Sequence, residues 1–160
     1  LPESRAADAS LEFARNEGER GGPLPVADPA PDPVRRLRVE LWLGVLEVEA
    51  GDVPAARARW RRAVLADPAV EPGEDPSPAA ELRYLLQGDP DPAAADALRE
   101  ATWTTEQPTL ANNVEFVIGL ARFLAGDEAG AHERFEAAVA SSWGRNFPYW
   151  TALRWAERTR

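Results

Sequence analysis

The residues best suited to chemistry are few and badly placed for it. His132 is the only histidine and stands in the run His132-Glu133-Arg134-Phe135, so the second histidine of a zinc-hydrolase helix is missing. There is no cysteine, which removes thiolate ligands, thiolate nucleophiles and disulfides together and leaves the redox compartment open. Ser141 and Ser142 end a helical stretch with no base near them in sequence, and neither a Gly-x-Ser-x-Gly turn nor a glycine-rich phosphate loop occurs. Asp89 and Asp91 sit beside Gly88, Pro90 and Pro92, where a carboxylate serves a turn or a helix cap rather than proton transfer. Arg57, Arg59, Arg61 and Arg62 could face an anion, but on a helix such a run reads as a solvated face. No catalytic residue, metal ligand or cofactor-binding residue is therefore assigned, and no cofactor is expected. An enzyme assembled from acids distant in sequence, or a small-ligand domain, stays as an alternative that a buried polar pocket would favour.

The elements that would have to position any site are much more legible. The stretch from Leu41 to Pro68, LWLGVLEVEAGDVPAARARWRRAVLADP, reads as two helices folded back on each other. Gly44 lies mid-helix, where glycine costs about 1 kcal/mol relative to alanine and is tolerated where another backbone comes close. Ala56, on the facing helix, is the expected neighbour. Gly51 supplies the positive φ that ends a helix, and Asp52 caps the next one. Ala56, Trp60, Ala63 and Val64 share one face, and Pro68 closes the segment.

The pattern carried by Leu43, Gly44, Gly51, Asp52, Ala56, Trp60, Ala63 and Pro68 resembles the tetratricopeptide repeat. Ile118, Gly119, Gly126, Asp127, Ala131, Phe135 and Ala138 repeat it with the same internal spacing. A degenerate copy, Gly88-Asp89 with Ala94, Leu98 and Ala101, lies between them. The turns at Gly51, Gly88 and Gly126 are 37 and 38 residues apart, a period that suits stacked helical hairpins. The chain departs from the family where its first helix carries Trp and Tyr: those positions are Glu40 and Glu47 in one copy and Glu115 and Arg122 in the other. The resemblance covers residues 34 to 158. It implies an all-α fold, an array of antiparallel helical hairpins (an α-solenoid) of about 7–8 helices. The hairpins fall at 34–67, 77–102 and 109–141, with a capping helix at 146–158 whose Trp150 and Leu153 are expected to pack on the hairpin 110–141, with Trp143 and Phe147 near the joint. Residues 1–33 read as an N-terminal helix followed by a proline-rich linker.

Two helices show apolar stripes on two sides, as a sandwiched helix should. In the first, Val39, Leu43, Leu46 and Ala50 form one stripe and Leu37, Leu41, Val45 and Val48 the other. In the second, Val114, Ile118, Ala121 and Ala125 form one, and Phe116, Leu120 and Phe123 the other. A 44% hydrophobic, 28% charged chain of 160 residues is one folded domain's worth. The formal net charge of −9 argues against nucleic acid, whose binding rests on cations neutralising phosphate. No apolar run approaches the ~18 residues of a membrane span. All 18 basic residues are arginine and methionine is absent, which reads as the codon usage of a GC-rich, bacterial genome. A chain opening Leu1-Pro2 is expected to have lost its start, which leaves the compartment open between cytoplasm and export.

The resemblance implies a protein-interaction scaffold or adaptor that holds a partner in its concave groove. Projected onto this chain, the groove is lined by Leu41, Val45, Val48, Leu82, Leu85, Phe116, Leu120, Phe123 and Trp155. These are almost all apolar, so the expected partner is an apolar helix or extended segment of another protein. One competing expectation is that the chain fills its own groove. Another is that the protein is a structural subunit of a larger assembly, membrane-associated or not. The oligomeric state is left open.

Overall fold

The computed structural model describes residues 33–66, 78–88, 91–103, 109–141 and 147–160. The chain divides into two units, Leu1–Pro31 and Asp32–Arg160, and all of the described residues belong to the second. They form seven α-helices and no strand: α1 (Pro33–Glu49), α2 (Val53–Ala66), α3 (Pro78–Gln87), α4 (Pro92–Trp103), α5 (Thr109–Leu124), α6 (Glu128–Ala140) and α7 (Phe147–Arg158). None is long and apolar enough to cross a membrane. The expected N-terminal helix, the proline-rich linker and the side chains of Trp143 and Phe147 lie outside the described residues.

Local chemistry sets the helix ends. Gly51, Gly88 and Gly126 all adopt positive φ, between 80° and 85°, which an L side chain resists. After α1 the Asp52 amide donates to the Glu47 carbonyl at 2.8 Å and the Gly51 amide to Val48 at 3.0 Å. After α5 the Asp127 and Gly126 amides do the same to Arg122 and Phe123, at 2.9 and 3.0 Å. This paired closure satisfies carbonyls that a helix end leaves open. The aspartate then caps the following helix: Ala55 N–H donates to Asp52 Oδ1 at 3.0 Å, and Gly130 N–H to Asp127 Oδ1 at 2.9 Å. Asp91 plays the same part at the start of α4, accepting from Ala93 N–H at 3.0 Å.

Packing follows chain order. Each helix lies against the next, and α1 also meets α3, α3 meets α5, and α5 meets α7. The two strong sequence copies, 75 residues apart, pack alike, although not through the residues expected. A Cβ built on Gly44 would fall inside the Trp60 ring, and one on Gly119 would lie 2.8 Å from Phe135 Cδ1. The glycines therefore admit the aromatic rings: the atoms nearest Gly44 belong to Trp60 rather than to the expected Ala56, and those nearest Gly119 to Phe135. Trp60 is fully buried, and its indole N–H donates to the Leu41 carbonyl at 3.2 Å.

The cap helix is also turned from its expected face. Trp150 is exposed and stacks edge-on against Tyr149, while Thr151, Ala152, Trp155 and Ala156 face inward. Two small residues one turn apart, Ala152 and Ala156, let α7 come close to its neighbours, which Trp150 would have prevented.

Candidate interaction surface

Eight of the nine side chains expected to line an open groove are buried in the single chain. Leu41, Val45, Val48, Leu82, Leu85, Phe116, Leu120 and Trp155 are all closed to solvent, and Phe123 is half-buried. Aromatic contacts tie this stripe into one core. Trp42 meets Phe116 at 5.4 Å between ring centroids, Phe116 meets Phe135 at 5.5 Å, and Trp155 meets both Phe135 and Phe123 at 5.6 and 4.8 Å. At the other side of that core, Glu49 of α1 reaches α7. Its Oε1 accepts from Arg154 Nη2 and from the Trp155 indole N–H, each at 3.0 Å. The expected open groove is thus a closed interior. Equivalent apolar stripes on α1, α3, α5 and α7 bury more surface against one another than they could by staying in water.

The acidic departures from the repeat pattern have a job that sequence reading missed. Arg59, expected in a solvated run, instead bridges α2 to α1. Its Nη1 donates to Glu40 at 2.9 Å, and its Nη2 and Nε donate to Glu47 at 2.7 and 2.9 Å. The hydrogen bonds it donates to Glu47 and then to Glu40 hold the guanidinium firmly charged, against the opposing effect of burial. In the second copy Arg134 donates to Glu115 at 3.3 Å, and Arg99 of α4 adds bonds of 2.6 and 3.2 Å to the same carboxylate. The signal was present in the sequence: Glu40 and Arg59 recur as Glu115 and Arg134 in the same register. A carboxylate–arginine clamp thus recurs in both copies.

Asp89 and Ser142 lie outside the described residues. His132 Nδ1 lies 3.0 Å from the Ala156 carbonyl and links α6 to the end of α7. Glu81 of α3 is wholly buried, and desolvation pushes its carboxyl up to about 7 despite the opposing charge of Arg38. Among the described residues no group of three or more acidic, histidine or cysteine side chains could hold a metal ion.

What lies open is the other stripe of α1. Val39 is 51% exposed, Leu43 39% and Leu46 38%. Their counterparts on α5, Val114, Ile118 and Ala121, are between 0 and 9% exposed. The two helices are alike in pattern, but α5 has α4 packed against it. Single exposed apolar residues are ordinary; three in one helical row are not. No family model, no curated protein and no solved structure matches the chain.

Proposed function

We propose that this chain is a protein-interaction scaffold, an array of helical hairpins of the tetratricopeptide kind, whose contact face is the open stripe of α1. The observation that carries this is the contrast between Val39, Leu43 and Leu46 in water and Val114, Ile118 and Ala121 under cover. Pairing of each helix with its successor, and of every odd-numbered helix with the next odd-numbered one, supports the array reading. The nine-residue apolar stripe gives the array its core, so a partner is held on the flank of the array rather than in a groove. A subunit built permanently into a larger assembly would use the same face, and the two differ in whether the free chain is stable alone.

Site-specific photocrosslinking in the source cells tests this. A crosslinker at position 43 is expected to trap a defined protein, and one at Arg61 on the exposed face of α2 is not. Crosslinks from position 61 but none from position 43 would overturn the assignment of the face. A chain that purifies alone and monodisperse speaks for an adaptor; one that purifies only with its crosslinked neighbour speaks for a built-in subunit.

A further inference from the structure

The two copies of the carboxylate–arginine clamp are not balanced alike. In the first, Arg59 has two carboxylates to itself: Nη1 donates to Glu40, and Nε and Nη2 donate to Glu47. In the second, Glu115 stands at the position of Glu40 and Arg134 at that of Arg59, but Arg122 takes the place of Glu47. Glu115 is the carboxylate that Arg134 and Arg99 share. Arg122 Nη1 donates to Asp127 at 3.1 Å and Arg99 Nη1 to Asp96 at 2.9 Å, but both of those carboxylates are open to water, which weakens their charge. Arg134 crosses α5 at Gly119, and Arg122 crosses α6 at Gly130, so the two arginines lie along one seam, each about a turn from the other's crossing.

The shortage of acceptors shows in the bonding. Among the described residues, Arg122 Nε, Arg134 Nε and the Tyr84 hydroxyl are buried and have no hydrogen-bond partner, whereas Arg59 Nε in the first copy meets Glu47. Tyr84 lies on α3, which packs on both α4 and α5. Burial pushes its hydroxyl up, while the charges of Arg122, Arg99 and Arg134 pull it down and that of Asp91 opposes them. Three arginines thus stand within electrostatic reach of one phenol oxygen. The side chains of Arg99, Arg122 and Arg134 are 25 to 31% exposed, so their guanidinium ends meet solvent. We infer that the α5–α6 seam binds a phosphate-class dianion where the first copy has the Glu47 carboxylate. Its oxygens accept from Arg134, Arg122 and the Tyr84 hydroxyl. Guanidinium and phosphate pair through parallel N–H bonds, and a dianion balances two guanidinium charges where a carboxylate balances one. The site is separate from the exposed row of α1 and does not depend on it.

Isothermal titration of the full chain with inorganic phosphate, at constant ionic strength set by chloride, tests this. Saturable binding of one phosphate per chain is expected. Arg122→Gln, Arg134→Gln and Tyr84→Phe should each weaken it roughly tenfold or more, the scale of a hydrogen bond to a charged group, while circular dichroism stays unchanged. Arg62→Gln, on the exposed face of α2, should leave it as it was. Arg122→Glu rebuilds the pattern of the first copy. It should abolish phosphate binding and raise the melting temperature of the phosphate-free chain, which Arg122→Gln should not do. If Arg122→Glu does not fold, the glutamine and phenylalanine variants decide alone. Glycerol phosphate binding more tightly than inorganic phosphate would assign the site to a phosphate ester, and the reverse order to the free ion. Acetate binding as tightly as phosphate would overturn the dianion. No saturable binding, binding that Arg122→Gln and Arg134→Gln leave intact, or an equal loss in Arg62→Gln would overturn the site.

Discussion

Glu81 shows what one buried carboxyl does to stability. Its folded value of about 7 lies above the ordinary 4.5 because burial disfavours the charge. Below pH 4.5 it is protonated both folded and unfolded and costs nothing. Between 4.5 and 7 the unfolded chain releases the proton more readily, so stability is lost as pH rises; above 7 the loss is complete. It amounts to something on the order of 3 kcal/mol. Glu81→Gln should therefore melt with the native chain at pH 4 and well above it at pH 8. A difference in melting temperature that does not change with pH would contradict this. Gly44 fails in the opposite direction. A methyl group there must push against Trp60, so Gly44→Ala should destabilise by about 1–3 kcal/mol in urea unfolding. The sequence marked Gly44 as a close approach but named Ala56 as its neighbour. Helical side chains lean toward the N-terminus, so Trp60 covers the surface one turn before its own Cα, over Ala56. Spacing identifies the face; it does not show how far along it a large ring reaches.

At the scale of elements, the helix ends were legible because their causes are local. Positive-φ glycines and capping aspartates act within a few residues, and the turns at Gly51, Gly88 and Gly126 and the cap at Asp52 stand where they were expected. Asp127 both caps α6 and accepts from Arg122 at 3.1 Å, so Asp127→Ala should cost about 1 kcal/mol by thermal melting, and Asp127→Asn distinctly less. What could not be read was which apolar stripe of a two-striped helix turns inward. α1 and α5 look equivalent in sequence, yet Val39, Leu43 and Leu46 of α1 are exposed where their counterparts on α5 are buried. The inward turn of α7 was also hidden. Trp150 suggested a buried knob, but close approach favoured Ala152 and Ala156. The Arg59 clamp was missed because charged residues were assigned to solvent one at a time rather than in pairs across the turn.

For the whole molecule, the decisive contact is the one between Glu49 and the Arg154–Trp155 pair, which joins the first described helix to the last across more than 100 residues of chain. Repeat arrays whose units touch only their neighbours loosen from the ends, and their middle outlives their margins. A join between the ends changes that behaviour. Opening α1 or α7 exposes the aromatic centre that both share, so neither can fray without the rest. Amide hydrogen exchange should then give α1 and α7 the same slow, concerted rate as α5, where a chain of neighbours would show protection falling away toward both termini. Glu49→Ala should remove that uniformity first, speeding exchange in α7 more than in α5. The join also has a kinetic cost. Contacts between such distant residues form late, so refolding should be slower than a simple stack of local helices would allow.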